Sequence, residues 1–176
     1  MESGRTINTL TPIELLLLDV DGVLTDGKVI YDDAGGEIKE FDVKDGLGIR
    51  LLAECGVRVG IITGRSSKAL LHRCQNIGIK LLFQGVDDKA AAFGRVLEQT
   101  GIPAENIAYM GDDLPDLPVL NRVGVPIAVS DAHEAVKSSA AIVTQAKGGR
   151  GAVREICDAI LKAKGLWPGV IKRFES

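Results

Sequence analysis

Four consecutive leucines, Leu15–Leu18, run straight into Asp19-Val-Asp21-Gly-Val-Leu-Thr-Asp26-Gly27. Such an apolar run reads as a strand buried on both faces, and its abrupt end in acids and glycines reads as a turn at the rim of a sheet. Side chains alternate along a strand, so Asp19 and Asp21 project to one side and Val20 to the other. Two carboxylates held together beside apolar surface repel each other, and they persist only where a cation, a proton or hydrogen-bond donors compensate them. An isolated Asp-Gly would be an ordinary turn. The apolar run, the paired acids and the Thr25-Asp26-Gly27 that follows point instead to a site for a metal ion and a phosphate.

The rest of the chain alternates in the same way. Further strand-like runs fall at Val57–Ile62, Lys80–Phe83, Asn106–Met110, Val125–Val129 and Ala141–Val143. Helical segments separate them at about Asp45–Cys55, Ser66 or Ser67 to Asn76, Asp87 or Asp88 to Thr100, Leu114–Leu120 and Ala132–Lys137. A last helix follows Gly148-Gly-Arg-Gly151 and runs to about Ala163. Strands alternating with helices predict an α/β fold, a Rossmann-like three-layer arrangement with a parallel sheet between helices. Lys28–Tyr31 and Glu37–Phe41, separated by Asp32-Asp-Ala-Gly-Gly36, predict a β-hairpin over 28–41 that stands away from the core. Residues 1–13 read as a leader, 14–164 as one domain and 165–176 as a tail.

The composition narrows the partners. The net charge is −3 and no basic block occurs, so neither a nucleic acid nor a membrane surface is an expected partner. Cys55, Cys74 and Cys157 are odd in number and set in apolar segments, which suits buried thiols in a reducing cytosol. No apolar run approaches the roughly 18 residues of a membrane span, and residues 1–13 lack the pattern of a signal peptide. A cytoplasmic protein is expected.

Sites on parallel sheets gather at the carboxyl ends of the strands. Those ends carry Asp19 and Asp21, then Thr63-Gly64-Arg65, then Gly111-Asp112-Asp113-Leu-Pro-Asp116, and Lys89 opens the helix after the third strand. Carboxylate oxygens with room for water suit Mg²⁺. His72 and His133 are far in sequence from these acids, which disfavours zinc.

In this order and context, the set resembles the haloacid dehalogenase superfamily of phosphotransferases over residues 14–163. Asp19-Val-Asp21-Gly-Val matches its first motif, Thr63 its second, Lys89 its third and Gly111-Asp112-Asp113-Leu-Pro-Asp116 its fourth. The resemblance implies that Asp19 attacks phosphorus and that Asp21 acts as general acid and base. It implies that Asp19, the backbone carbonyl of Asp21 and Asp112 hold Mg²⁺, and that Thr63 and Lys89 stabilise the transferring phosphoryl group. Asp113 and Asp116 then support Lys89, a metal-bound water or the loop itself.

Two readings from other classes compete. Signalling receiver domains also gather acids, a Thr and a Lys around Mg²⁺, but they carry their phosphoacceptor Asp after the third strand. A silent relative serving as an oligomerisation module would be expected to lose the first-motif acids, and both are present.

Only residues 22–62 separate the first two motifs, and the interval from Thr63 to Asp112 leaves no room for a second fold, so the usual cap domain is absent. Val29, Ile30, Ile38 and Phe41 on the hairpin suit a subunit interface. The chain thereby resembles the capless, tetrameric branch acting on 3-deoxy-D-manno-octulosonate (KDO) 8-phosphate in lipopolysaccharide precursor synthesis. The matching stretches are Asp19–Gly27, Phe41–Arg50, Ile61–Arg65, Tyr109–Asp116 and Gly148–Glu155. The resemblance implies a small sugar-acid phosphate substrate and a homotetramer with active sites near subunit interfaces. It implies substrate contacts from Asp21, Asp42, Val43, Lys44, Asp45, Gly46, Arg50, Arg65, Arg73 and Lys89, partly across a subunit boundary. Asp42-Val-Lys44 departs from the Asn-Val-Arg of that branch. A related group acts on nine-carbon sugar acids and tends to carry an acid where Arg65 stands, so Arg65 favours the eight-carbon substrate.

Overall fold

The structure is a computed structural model, and it describes residues 9–175. Its centre is a six-stranded parallel sheet of β1 (Leu15–Leu18), β4 (Arg58–Ile62), β5 (Leu81–Phe83), β6 (Ile107–Gly111), β7 (Val125–Ala128) and β8 (Ile142–Val143). The spatial order is β5-β4-β1-β6-β7-β8. All four leucines of β1 are fully buried, as a strand covered on both faces requires. β1 pairs with β4 through Leu15↔Arg58 to Leu18↔Ile61, and with β6 through Leu15↔Ile107 to Leu18↔Met110. The chain winds outward through β4 and β5, then returns to the other side of β1 with β6. That reversal opens a crevice at the carboxyl ends of β1 and β6.

The helices beside the sheet include α1 (Val43–Glu54), α2 (Lys68–Ile77), α3 (Lys89–Thr100), α4 (Leu117–Leu120), α5 (Glu134–Ser139), α6 (Ala152–Ala163) and α7 (Trp167–Lys172). α1 packs on α2 and α6, while α4 packs on α3 and α5. Asp88 caps α3 by accepting from Ala90 N and Ala91 N, and Gly101 ends that helix in the left-handed region.

Several boundaries move. Leu114–Asp116 is a 3₁₀ turn before α4, because Pro115 and the Asp113 capping box hold it tightly. Of the segment expected as a leader, Leu10 and Ile13 are buried in the core, while residues 1–8 lie outside the described residues. The tail is not merely a tail. Residues 167–172 form α7, whose Val170 is buried, and Arg173 pairs with Glu54 of α1 at 2.7 Å.

The hairpin is present but short, with β2 (Ile30–Tyr31) antiparallel to β3 (Glu37–Ile38). Val29, Ile30, Tyr31 and Ile38 are exposed, while Phe41 packs against the core. Cys55, Cys74 and Cys157 are free, and Cys74 and Cys157 are buried. Among the described residues, no helix is long and apolar enough to cross a membrane.

Candidate active site

The first-motif loop is tied into the core before it presents any acid. The backbone N–H groups of Val23, Leu24 and Thr25 all donate to the carbonyl of Val20, and Val20, Val23 and Leu24 are buried. Gly22 turns with φ +92°, and a Cβ there would land on the Asp112 carboxylate, so only glycine lets the two loops meet. Gly148 abuts the carbonyl of Gly22, and Gly149 N donates to Val23 O at 2.9 Å. The C-terminal glycine loop is therefore a brace behind the first-motif loop.

Asp19, Asp21, Thr63, Arg65, Lys89, Asp112, Asp113 and Asp116 line one cavity of about 350 Å³ at the carboxyl ends of the strands. A second cavity of about 360 Å³ lies at the far end of the sheet, between Val57–Val59 and Lys80–Leu81, and holds none of these acids. Chemistry, not size, distinguishes the two.

The centre of the site is a buried charge network. Lys89 Nζ lies 3.0 Å from Asp19 Oδ1 and 2.5 Å from Asp116 Oδ1. Tyr109, fully buried on β6, donates its hydroxyl to the same Asp116 oxygen at 2.6 Å. The other Asp116 oxygen accepts from Asp112 N at 2.9 Å and Asp113 N at 3.3 Å. Asp116 is thus saturated with donors and acts as the anchor of Lys89 and of the fourth-motif loop.

Electrostatics leaves this network short of positive charge. Burial, then the Asp116 charge, pushes the Asp19 carboxyl up to about 6, with Lys89 opposing. Burial, then Asp19 and Asp116, pushes Asp112 up to about 8. Burial works to lower Lys89, but Asp19 and Asp116 outweigh it and its pKa is raised. One oxygen each of Asp19, Asp112 and Asp116 fall within 4.8 Å of one another. Asp19 Oδ1 is buried without an aligned hydrogen-bond donor. Three carboxylates that share one ammonium fit a divalent cation with oxygen preference. Because Asp116 is already saturated, Asp19 and Asp112 are the carboxylates free to hold it.

His133, set aside on sequence distance, is in fact adjacent. Its backbone N donates to Asp112 O at 2.8 Å, but its imidazole Nδ1 is spent accepting from Ala135 N at 3.1 Å as the cap of α5.

The other expected substrate residues do not join this cavity. Asp42 caps α1 by accepting from Lys44 N at 2.6 Å, a bond that Asn would also make. Arg73 donates to Asp42 O at 2.8 Å and stacks 5.6 Å from the Phe41 ring. A Cβ on Gly46 would strike the Arg73 guanidinium. Val43, Lys44 and Arg50 are exposed nearby. Asp45 is buried, and its Oδ1 accepts from Arg154 N at 2.7 Å, joining α1 to the first turn of α6.

Sequence reading missed Tyr109 and the inner face of the hairpin. Lys39 Nζ pairs with Asp21, and Arg65 Nη2 lies 2.6 Å from Glu37 Oε2 and 3.0 Å from the Tyr31 hydroxyl. Strand alternation, which sets Tyr31, Glu37 and Lys39 opposite Ile30 and Ile38, was the available signal.

With this geometry in hand, the relatives are informative. A family model described as haloacid dehalogenase-like hydrolase matches residues 75–156. The 3-deoxy-D-manno-octulosonate 8-phosphate phosphatase KdsC of Escherichia coli K12 is 50% identical over 163 residues, covering 93% of this chain and 87% of that protein. The crystal structure of the Yersinia pestis phosphatase of the same description matches with TM-score 0.92 and 46% identity, covering 93% of this chain and 89% of that one. The Moraxella catarrhalis phosphatase, solved in complex with a magnesium ion, a phosphate ion and KDO, matches with TM-score 0.95 and 40% identity, covering 97% of this chain and 98% of that one.

Proposed function

The chain belongs to the KDO 8-phosphate phosphatases of the haloacid dehalogenase-like hydrolases, and on that premise we propose that it hydrolyses KDO 8-phosphate to KDO and inorganic phosphate with Mg²⁺. The observation that carries the reading is the cavity at the β1/β6 crevice, where Asp19, Asp21, Thr63, Lys89 and Asp112 meet in a fold shared with a relative that holds Mg²⁺, phosphate and KDO.

In the first step Asp19 attacks phosphorus in line, the bond from phosphorus to the sugar oxygen breaks, and Asp21 gives its proton to that oxygen. An aspartyl-phosphate remains on Asp19. In the second step water attacks phosphorus while Asp21 takes a proton from it, which releases phosphate and restores the Asp19 carboxylate. Thr63 donates to a phosphoryl oxygen, and Lys89, held by Asp116, places positive charge where the transition state spreads negative charge. Asp19, the Asp21 carbonyl and Asp112 would hold Mg²⁺, which would supply the charge that lets an anionic nucleophile approach an anionic phosphate.

The separate cluster of Asp42, Val43, Lys44, Gly46, Arg50 and Arg73 serves the sugar acid from a neighbouring subunit's side. Its exposed members support that role, since they do not line this chain's own cavity. Arginine forks suit a carboxylate. A homotetramer built on the hairpin brings the two sets together, and the protein works in the cytoplasm.

Phosphate release from KDO 8-phosphate, a nine-carbon sugar-acid 9-phosphate and a small aryl phosphate, with Mg²⁺ and after chelation, tests the reading. Mg²⁺-dependent preference for the eight-carbon substrate is expected. Equal turnover of all three, or full activity in chelator, overturns it.

A further inference from the structure

The hairpin carries charged side chains that the motif set does not use. Lys39 Nζ pairs with Asp21 and lies 3.0 Å from Glu37 Oε1. Glu37 Oε2 holds Arg65 Nη2 at 2.6 Å, and Arg65 Nε lies 3.7 Å from Asp21 Oδ2. Two acids and two bases therefore close a ring between an outlying hairpin and the catalytic loop. The Lys39 side chain is only 2% exposed, although the hairpin around it is open to water. A lysine on such a strand ordinarily reaches into solvent, and burying its ammonium is costly unless a partner compensates. The partner here is the residue assigned the proton transfers.

We infer that Lys39 and Glu37 are working parts of the site: Lys39 is a positioning residue for Asp21, and Glu37 a specificity residue that holds Arg65 for a substrate carboxylate. The inference rests on the proposed phosphatase reading. Asp21 sits in a loop, and its carboxylate must stay within reach first of the leaving oxygen and then of the attacking water. A buried ammonium fixed from below by Glu37 restrains it through both steps. Glu37 and the Tyr31 hydroxyl take up Arg65 Nη2 and Asp21 faces Nε, which leaves Nη1 to meet an incoming carboxylate. A substrate without a carboxylate gains nothing from that arrangement.

Full-length Lys39→Met and Glu37→Gln proteins, assayed on KDO 8-phosphate and on a small aryl phosphate, test both roles. Lys39→Met should lose about 10- to 100-fold in kcat on both substrates while KM moves less than about threefold. Glu37→Gln should raise KM for the sugar-acid phosphate about 5- to 10-fold and leave KM for the aryl phosphate within about twofold. Wild-type kcat in a folded Lys39→Met protein overturns the positioning role, and equal KM changes on the two substrates, or none, overturn the specificity role. Should Lys39→Met misfold, Lys39→Ala assayed with and without ethylammonium decides: several-fold recovery of kcat is expected, and no recovery refutes. If the unaltered protein hydrolyses the aryl phosphate but not the sugar-acid phosphate, the substrate reading fails, while the Lys39 comparison on the aryl phosphate still decides its role.

Discussion

The Tyr109 hydroxyl donates to Asp116 Oδ1 at 2.6 Å from a ring with no exposed surface. Burial, then the Asp116 and Asp19 charges, raises the phenol well above its ordinary pKa, so it remains a donor. The same oxygen takes Lys89 at 2.5 Å, which makes Tyr109 part of the frame that aims the ammonium at Asp19. Tyr109→Phe should cost about 1–2 kcal/mol of stability, since it leaves a buried carboxylate one donor short. It should also lower kcat about 3- to 10-fold with little change in KM, as a slackened Lys89 stabilises the transition state less well. Urea unfolding and steady-state kinetics check the two effects separately. An unchanged kcat would leave Tyr109 a packing residue only.

Asp19→Asn removes the proposed nucleophile and should lose on the order of 10⁴-fold or more in turnover. Asp21→Asn should lose a comparable or slightly smaller factor. Chelated protein should be inactive until Mg²⁺ returns, and Asp112→Asn should raise the Mg²⁺ needed for half-maximal rate. Phosphate release titrated against Mg²⁺ measures all of these. Robust turnover by Asp19→Asn would refute the mechanism.

Much of the site was legible because its parts are local. An apolar run ending in acids marks a strand end, and Asp88 before Lys89 marks a helix start, whatever the rest of the chain does. Asp19, Lys89 and Asp112 therefore fell into place at predicted junctions of one crevice. The contacts that sequence did not reveal join residues whose spacing has no period. Lys39 meets Asp21 and Arg65 meets Tyr31 only because the hairpin folds back toward the crevice, and its strands alone read as a projecting ridge. Tyr109 looked like one more apolar residue of β6, since a buried hydroxyl shows its purpose only through its partner. Asp45 lay within a stretch expected to grip substrate, and its Oδ1 also joins α1 to α6 through Arg154 N.

That buried carboxylate gives a pH prediction. Burial raises Asp45 from 3.8 to about 6, opposed by the N–H of Arg154. The folded protein thus binds this proton more tightly than the unfolded chain, so stability falls as pH rises from about 4 to about 6 and stays lower above that range. The Asp45 contribution to this loss has an upper bound of about 3 kcal/mol. Asp45→Asn keeps an acceptor for Arg154 N without the buried charge. It should therefore melt at or above the temperature of the unaltered protein at pH 8, and its stability should vary less between pH 4 and 6. Thermal melts across that range check the sign, and a variant markedly less stable at pH 8 would contradict it.

The hairpin's outer face gives the last prediction. Ile30 and Ile38 are cross-strand partners, and both are exposed, at 43% and 54%. Val29 adds to the same exposed apolar surface at 45%. Apolar side chains on a two-stranded ribbon have no core of their own to enter, and an isolated hairpin is marginal in water. Packing these faces together in a tetramer would remove that surface from water and hold the inner charged face against Asp21 and Arg65. Ile30→Asp with Ile38→Asp sets four charges at each pair of meeting hairpins, a repulsion that should dissociate the assembly. Light scattering should report a tetramer for the unaltered protein and a smaller species for the double variant. Activity on KDO 8-phosphate should fall more than activity on the aryl phosphate, because under the proposed assembly only the former would draw on Arg50 and Arg73 of a neighbouring subunit. An unaltered protein that is monomeric and fully active at micromolar concentration would refute the assembly.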